Sequence, residues 1–429
     1  MKANYKAIYT TVATLSLAST AGWAQQKDIN YDESKVPAYT LPALLQTENG
    51  QAVTTTAQWE QQRRPELLEL FATHMYGRTP TDRISVRYEV LTEDPHAMGG
   101  RATSRQVRFI FSNGGKMLEA LLWMYLPNQV TGKVPMFVGY NFKGNHSTTT
   151  DTAILYSKNF ALVKEPGHPD WERGSQASRW DYDAIIARGY GVATMCYHDI
   201  FPDMPGLKDH SIVSLFPGYV QGNEAADEWQ AIGAWAWGSS RIVDYLATEP
   251  RVDSSHIALM GHSRQGKAAL WAGAQDTRFS IVISNNSGEG GAALSRRKYG
   301  ETIAVVSSIK PAWFCSALDA YHGREEDLPV DQHQLLALMA PRPVYVASAE
   351  DDQWADPKGE YLGAYHASPV YRLYSLTGLP SEIPPAIHQP ILNDIGYHIR
   401  AGKHDVTSYD WLAFLDFADK HFGKPEASR

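Results

Sequence analysis

The run His256-Ile257-Ala258-Leu259-Met260-Gly261-His262-Ser263-Arg264-Gln265-Gly266-Lys267-Ala268-Ala269-Leu270 sets one serine among glycines, with an apolar stretch before it and an alanine- and leucine-rich stretch after it. That pattern predicts a strand, a sharp turn and a helix, the setting in which a serine hydroxyl is lifted off a sheet end to attack an acyl carbon. Small neighbours are required because the turn brings strand and helix backbones together. The following helix aims its unpaired N–H groups and positive dipole end at the place where an oxyanion forms. The second glycine arrives one residue later than in Gly-x-Ser-x-Gly, at Gly266, which leaves Arg264 directly after the serine. Ser263 is read as a nucleophile. Gly-x-Ser alone is also an ordinary strand-to-helix turn, so the partners of the serine must decide.

A serine hydroxyl attacks only when an imidazole takes its proton, and the imidazolium then needs a carboxylate. On a sheet of this kind the partners follow in the order acid, then histidine, on loops at strand ends. His404, in Gly402-Lys403-His404-Asp405, lies between the last short strand pattern and the last helix pattern and is the preferred base. His398 competes, but it falls inside the strand-like residues 397–400, where a structural histidine is the commoner occupant. For the acid, Glu350, Asp351 and Asp352 all follow an apolar strand that ends near Ala347, and spacing does not choose among them.

The elements that must hold these residues are legible in the periodicity. Residues 59–76 place Leu67, Leu68, Leu70, Phe71 and Met75 at helical spacing, closed by Gly77. Strand-like runs follow at 84–91, 104–111 and 117–126, with Ser112-Asn113-Gly114-Gly115 as a hairpin turn. Then strands at 134–140, 191–197, 279–283 and 343–347 alternate with helices at 182–188, 227–246 and 267–275, and a helix at 409–422 closes the chain. The alternation predicts a mostly parallel sheet covered on both faces. Residues 25–56 read as a polar arm over the surface, and the long insertion 148–179, carrying His168-Pro169-Asp170-Trp171, is expected to shape a site. Asn141-Phe142-Lys143-Gly144-Asn145-His146, after a central strand, is a candidate second oxyanion donor, although Asn and Gly also simply favour loops.

The N-terminus has a basic start, an apolar stretch over residues 7–21 and Gly22-Trp23-Ala24, a secretory signal peptide by pattern, with cleavage expected after Ala24. Its apolar core is too short to span a bilayer, and no later segment looks membrane-spanning, so an exported, soluble protein is expected. Residues 25–429 are read as one catalytic domain and the protein as a monomer. A net charge of −8 over 429 residues argues against nucleic acid or anionic membranes as partners. Cys196 and Cys315 fit two separate buried thiols as well as one bridge, with the separate thiols favoured. No Cys/His cluster has zinc spacing, so no metal is expected.

Gly261-His262-Ser263-Arg264-Gln265-Gly266-Lys267, with Asp352-Gln353-Trp354-Ala355-Asp356-Pro357 and Gly402-Lys403-His404-Asp405, resembles the bacterial glucuronoyl esterases of carbohydrate esterase family 15 over nearly the whole mature chain. The resemblance implies an α/β-hydrolase three-layer sandwich with an open cleft and no cofactor. It also implies hydrolysis of the ester joining a lignin alcohol to the glucuronic acid branches of xylan. It makes Ser263 the nucleophile, His404 the base, Asp352 the acid and Arg264 an added oxyanion donor. Lys267 would hold sugar hydroxyls, with Glu301 and Trp354 against the glucuronate ring. One position departs: where many members have a glutamate acid after the strand that follows the elbow helix, this chain has Asn286, so the role rests on Asp352, with Glu289 as a less favoured substitute. The alternatives are an acetyl or feruloyl xylan esterase and a catalytically weakened carbohydrate-binding homologue.

Overall fold

Continuous apolar runs build the middle of the sheet, because a strand covered on both faces does not alternate. The computed structural model describes residues 29–165, 167–219, 222 and 224–423, and the expected signal peptide lies outside them. The strands are β1 (Ser85–His96), β2 (Ala102–Asn113), β3 (Lys116–Pro127), β4 (Val134–Asn141), β5 (Gly191–Cys196), β6 (Val252–His262), β7 (Ile281–Asn285), β8 (Val344–Ala349), β9 (Ile391–Leu392) and β10 (Ile395–Arg400). Among the described residues they form one ten-stranded sheet in the order β1-β2-β3-β5-β4-β6-β7-β8-β10-β9. β5, β4, β6, β7, β8 and β10 are parallel. β1, β2 and β3 join as an antiparallel ribbon at one edge, and β9 joins antiparallel at the other. Every residue of β4, β5, β7 and β8 is buried, whereas β1 is largely exposed. The hairpin read from residues 112–115 is present: Asn113 pairs with Lys116 across Gly114 and Gly115, both at positive φ, which suits the twist of the two strands.

The helices are α1 (Arg64–Phe71), α2 (Tyr182–Ala187), α3 (Ala231–Leu246), α4 (Arg264–Gln275), α5 (Ile303–Ile309), α6 (Gln332–Ala337), α7 (Pro357–Leu373) and α8 (Ser408–His421). Two π-helical turns, Trp59–Arg63 and Ala72–Tyr76, flank α1, and Gly77 ends the segment at φ 82°. α3, α4, α6 and α7 lie on one face of the sheet over a core that includes Trp235 and Trp271. α2 and α8 cover the other face, with Trp411, Phe414 and Phe417 buried against Tyr345. The arm is tied down by Glu33, which pairs with Arg297 at 2.8 Å and Lys358 at 2.6 Å. Cys196 and Cys315 are buried free thiols.

Two helix limits differ from the sequence reading. The helix expected at 227–246 begins only at Ala231, because Arg78 draws the preceding residues into extended pairing: its N–H donates to the Asp227 carbonyl at 2.8 Å, and its side chain pairs with the Asp227 carboxylate. The helix expected at 267–275 starts at Arg264, directly at the turn. The seventeen-residue α7 was hidden by Pro369 in its interior, and Asp356 caps its start by accepting from the Gly359 N–H at 2.9 Å.

The chain passes from β4 outward to β5 and then returns to β6 on the other side of β4, so the direction of winding reverses between β4 and β6. Crevices open at the carboxyl ends of strands at such a reversal. Ser263 sits there, after β6, at φ 57° and ψ −131°, a backbone state that a serine holds only when its surroundings impose it. The steric reason lies in the glycines. A Cβ on Gly261 would stand 2.0 Å from the Gln265 carbonyl oxygen, and one on Gly266 would stand 2.8 Å from Ser287 Cβ. The late glycine therefore serves the packing of α4 against the β7 loop. Gly261→Ala is expected to destabilise the protein by about 3 kcal/mol or more and to lower the thermal midpoint by several degrees. A melting curve matching the wild type would contradict this account of the turn.

Candidate active site

Six loops at the carboxyl ends of the parallel strands converge around Ser263. Its N–H donates to the Asn285 carbonyl at 2.8 Å, which locks the turn to the end of β7, and its side chain opens into a cavity of about 330 Å³. Arg264, Lys267, Asn286, Glu301, Trp313, Asp352, Trp354 and His404 line the same cavity. His404, on the loop after β10, places Nδ1 2.6 Å from Oδ2 of Asp352, on the loop after β8. His404 remains partly exposed, whereas Asp352 is buried. The proton on Nδ1 faces the carboxylate, which leaves Nε2 as the basic nitrogen. His398 is fully buried in β10 between the Tyr345 hydroxyl and Asp410, both at 2.9 Å, a structural histidine as its strand position suggested.

Of the three candidate acids, only Asp352 reaches His404. Glu350 and Asp351 are exposed at the turn. Glu289 is buried elsewhere, accepting from Ser295 Oγ at 2.5 Å and the Gly290 N–H at 3.0 Å. Burial pushes its carboxyl well up, Ser295 opposes this, and Asp331 and Glu325 push it further, so it is no anionic partner for an imidazolium. Asn286 does not stand idle. Its Nδ2 donates to the same Oδ2 of Asp352 at 2.8 Å, so the residue in the departing position supports the acid.

The substrate side of the cavity is basic and aromatic. Lys267 is buried, with Nζ 2.8 Å from Glu301 Oε2 and 2.5 Å from the Glu289 carbonyl. Arg264 pairs with Asp203 and lies 4.7 Å over the Trp313 ring. Burial pulls its guanidinium down, but Tyr197 and Asp203 more than offset that, so its charge is held firmly. Lys267 and Lys310 also lie 5.6 and 5.7 Å over Trp313. Neither Trp313 nor Asp203 was found by the sequence reading, since each lies far along the chain from the motifs. The run Trp313-Phe314 was the one available signal. In the loop read as a candidate second oxyanion donor, Asn141 and Asn145 bond to each other at 2.7 Å, while Phe142 and Lys143 face a second cavity beside Ser263.

The family model described as "Glucuronyl esterase, fungi" matches residues 222–375. The carbohydrate esterase MZ0003, from an unknown prokaryotic organism, is 41% identical over 406 residues, 93% of each chain. Among solved structures, the glucuronoyl esterase from Solibacter usitatus superposes with a TM-score of 0.85 at 44% identity, over 91% of this chain and 100% of its own. A promiscuous esterase of carbohydrate esterase family 15 from a marine bacterial metagenome gives 0.83 at 41% identity, over 92% of this chain and 100% of its own. The chain belongs to the glucuronoyl esterases of carbohydrate esterase family 15. It is a carboxylic ester hydrolase with the α/β-hydrolase fold, and the expected fold class holds.

Beneath the esterase site lies a buried carboxyl group absent from the sequence reading. Glu360, on α7, accepts from the Ser287 and Gly288 N–H groups at 2.6 and 3.1 Å and from Ser348 Oγ at 2.7 Å. It thereby fixes the β7 loop that carries Asn286 against the end of β8. Burial raises its pKa to about 8, against the lowering effect of these donors and with Asp352 adding to the rise. A carboxyl raised in the folded state holds its proton while the unfolded chain has lost it, so its contribution is full below pH 4.5 and is lost as the pH climbs toward 8. Glu360→Gln should therefore flatten the fall in denaturant midpoint between pH 5 and 8 relative to wild type. Equal slopes in the two proteins would refute the assignment.

Proposed function

We propose that the esterase hydrolyses the ester between glucuronic or 4-O-methyl-glucuronic acid of glucuronoxylan and a lignin alcohol, through Ser263, His404 and Asp352. The observation that carries this reading is that the His404–Asp352 pair and the basic Lys267–Glu301 floor line one cavity with Ser263. His404 Nε2 takes the Ser263 proton as Oγ attacks the ester carbon, and Asp352 holds the imidazolium that forms. The oxyanion develops at the start of α4, where the Arg264 N–H and guanidinium face it; a fixed cation there lowers the barrier more than a neutral donor would. His404 then protonates the departing alcohol, and water releases the uronate from Ser263 by the reverse proton path.

The acyl group is chosen by hydrogen bonding. Lys267 Nζ spends two of its three N–H bonds on protein, which leaves one, and Glu301 Oε1, for ring hydroxyls, while Trp354 supplies an apolar wall. A polar, cationic floor suits a uronate ring better than an acetyl methyl. The pattern of residues 1–24 supports export, with residues 25–429 as one catalytic domain acting as a monomer; no helix among the described residues is long and apolar enough to cross a membrane.

Turnover of benzyl glucuronate beside 4-nitrophenyl acetate and methyl ferulate tests substrate and machinery together. The glucuronate ester is expected to be strongly preferred, Ser263→Ala to abolish its turnover, and Asp352→Asn to lower kcat by roughly two to four orders of magnitude. Preference for acetyl or feruloyl esters would overturn the substrate reading, and near-wild-type Asp352→Asn would remove Asp352 from the acid role.

A further inference from the structure

Ser263, Arg264 and His404 face a second cavity of about 240 Å³ on the side away from Lys267 and Glu301, walled by Phe142, Lys143, Arg179 and His262 among others. If the uronate occupies the first cavity, this one receives what approaches or leaves the ester carbon from the other side. His262 precedes the nucleophile, is buried, and its ring centre lies 4.5 Å from that of His404 at a tilt of 41°.

The proton position on His262 is fixed from below. Asp410 accepts from Arg400 Nε at 2.8 Å, from the Thr407 N–H and hydroxyl at 2.7 and 2.8 Å, and from His398 at 2.9 Å. Burial raises its carboxyl, but His398, Arg400 and Thr407 bring it below the usual range, so it is ionised and only accepts. Asn285 must therefore turn Nδ2 to Asp410, at 3.3 Å, and Oδ1 to His262. His262 Nδ1, 2.6 Å from that oxygen, must carry the proton. Burial, then the charges of His404, Arg179 and Arg400, keep the ring neutral. Nε2 is left as a lone-pair acceptor with no hydrogen-bond partner among the described residues, on a ring that lines the second cavity.

We propose that His262 orients the hydrolytic water, its Nε2 accepting one O–H while His404 Nε2 accepts the other. The inference rests on the reading of Ser263 and His404 as nucleophile and base. In deacylation the water oxygen bonds to the acyl carbon as His404 removes one proton and the carbonyl π pair moves onto the oxyanion. The second O–H stays intact, held by His262. Collapse of the oxyanion then breaks the bond to Ser263 Oγ, which recovers the proton from His404, and the uronic acid departs. Water needs both acceptors to be aimed, because it has two protons. Methanol has a single O–H and needs only His404.

The difference is measurable as a partition. With benzyl glucuronate and added methanol, the acyl-enzyme divides between methyl ester and free acid, and their ratio reports deacylation alone. His262→Asn keeps a donor toward Asn285 but lacks the distal acceptor, and His262→Phe keeps a ring against His404 but lacks both nitrogens. In whichever variant melts cooperatively, the methanolysis-to-hydrolysis ratio is expected to rise about five- to tenfold, the worth of one neutral hydrogen bond. An unchanged ratio, with both products slowed alike or not at all, would reduce His262 to packing beside His404 and overturn the proposal. Persistent turnover in Ser263→Ala would instead defeat the underlying triad reading, a result distinct from either.

Discussion

The Asp352 carboxylate is the constraint around which the site is arranged. A buried carboxylate without donors is strongly unfavourable, so the chain must bring hydrogen-bond donors to it from other strands. It does so from two, with His404 Nδ1 from the loop after β10 and Asn286 Nδ2 from the loop after β7 meeting on one oxygen, Oδ2. The parallel order β7-β8-β10 makes the meeting possible, since it places the carboxyl ends of three adjacent strands side by side. Glu360 fixes the middle of this arrangement from underneath, bonded at once to the loop after β7 and to Ser348 of β8.

This arrangement gives a physical account of Asn286, which the family resemblance alone marks as a defect. A glutamate at this point would set a second carboxylate beside a buried one, and two like charges at such range cannot both stay ionised. With Asn286 the neighbour is a neutral donor to Asp352 Oδ2. The backbone adds a second reason. Asn286 stands at φ 48°, in the left-handed region that asparagine tolerates better than most side chains. Position and partner thus select the same residue.

The places of Ser263 and His404 in the fold were legible because they follow from local rules. Gly261 and Gly266 announce a close crossing of strand and helix, and His404 follows a short strand near the chain end, so both residues could be placed on their loops by pattern. The choice among Glu350, Asp351 and Asp352 was open because neighbouring residues on a turn point in different directions, and only the resemblance and then the folded loop singled out one. Asp203 and Glu360 left no readable mark, and Trp313 left only the run Trp313-Phe314. Each acts through residues distant in sequence, Trp313 beneath Arg264, Lys267 and Lys310, Asp203 beside Arg264, and Glu360 under the β7 loop. The late start of α3 has the same origin, because Arg78 captures residues whose own pattern is helical.

The two cavities on either side of Ser263 differ in what lines them. On one, Lys267 is held by Glu301 and the Glu289 carbonyl while Arg264 and Lys310 stay near Trp313. On the other lies a buried run of four, Arg400, Asp410, Asn285 and His262, in which the hydrogen bonds fix the proton on His262 Nδ1, and the His262 ring then rests against the partly exposed His404. Such a sequence is a costly way merely to fill space, since every polar group in it must find a partner or destabilise the core. Every atom along it is satisfied up to His262 Nε2, and there the sequence of partners ends at the cavity wall, one ring away from the base. A neutral ring at that point sets no cation beside His404, as a doubly protonated His262 would.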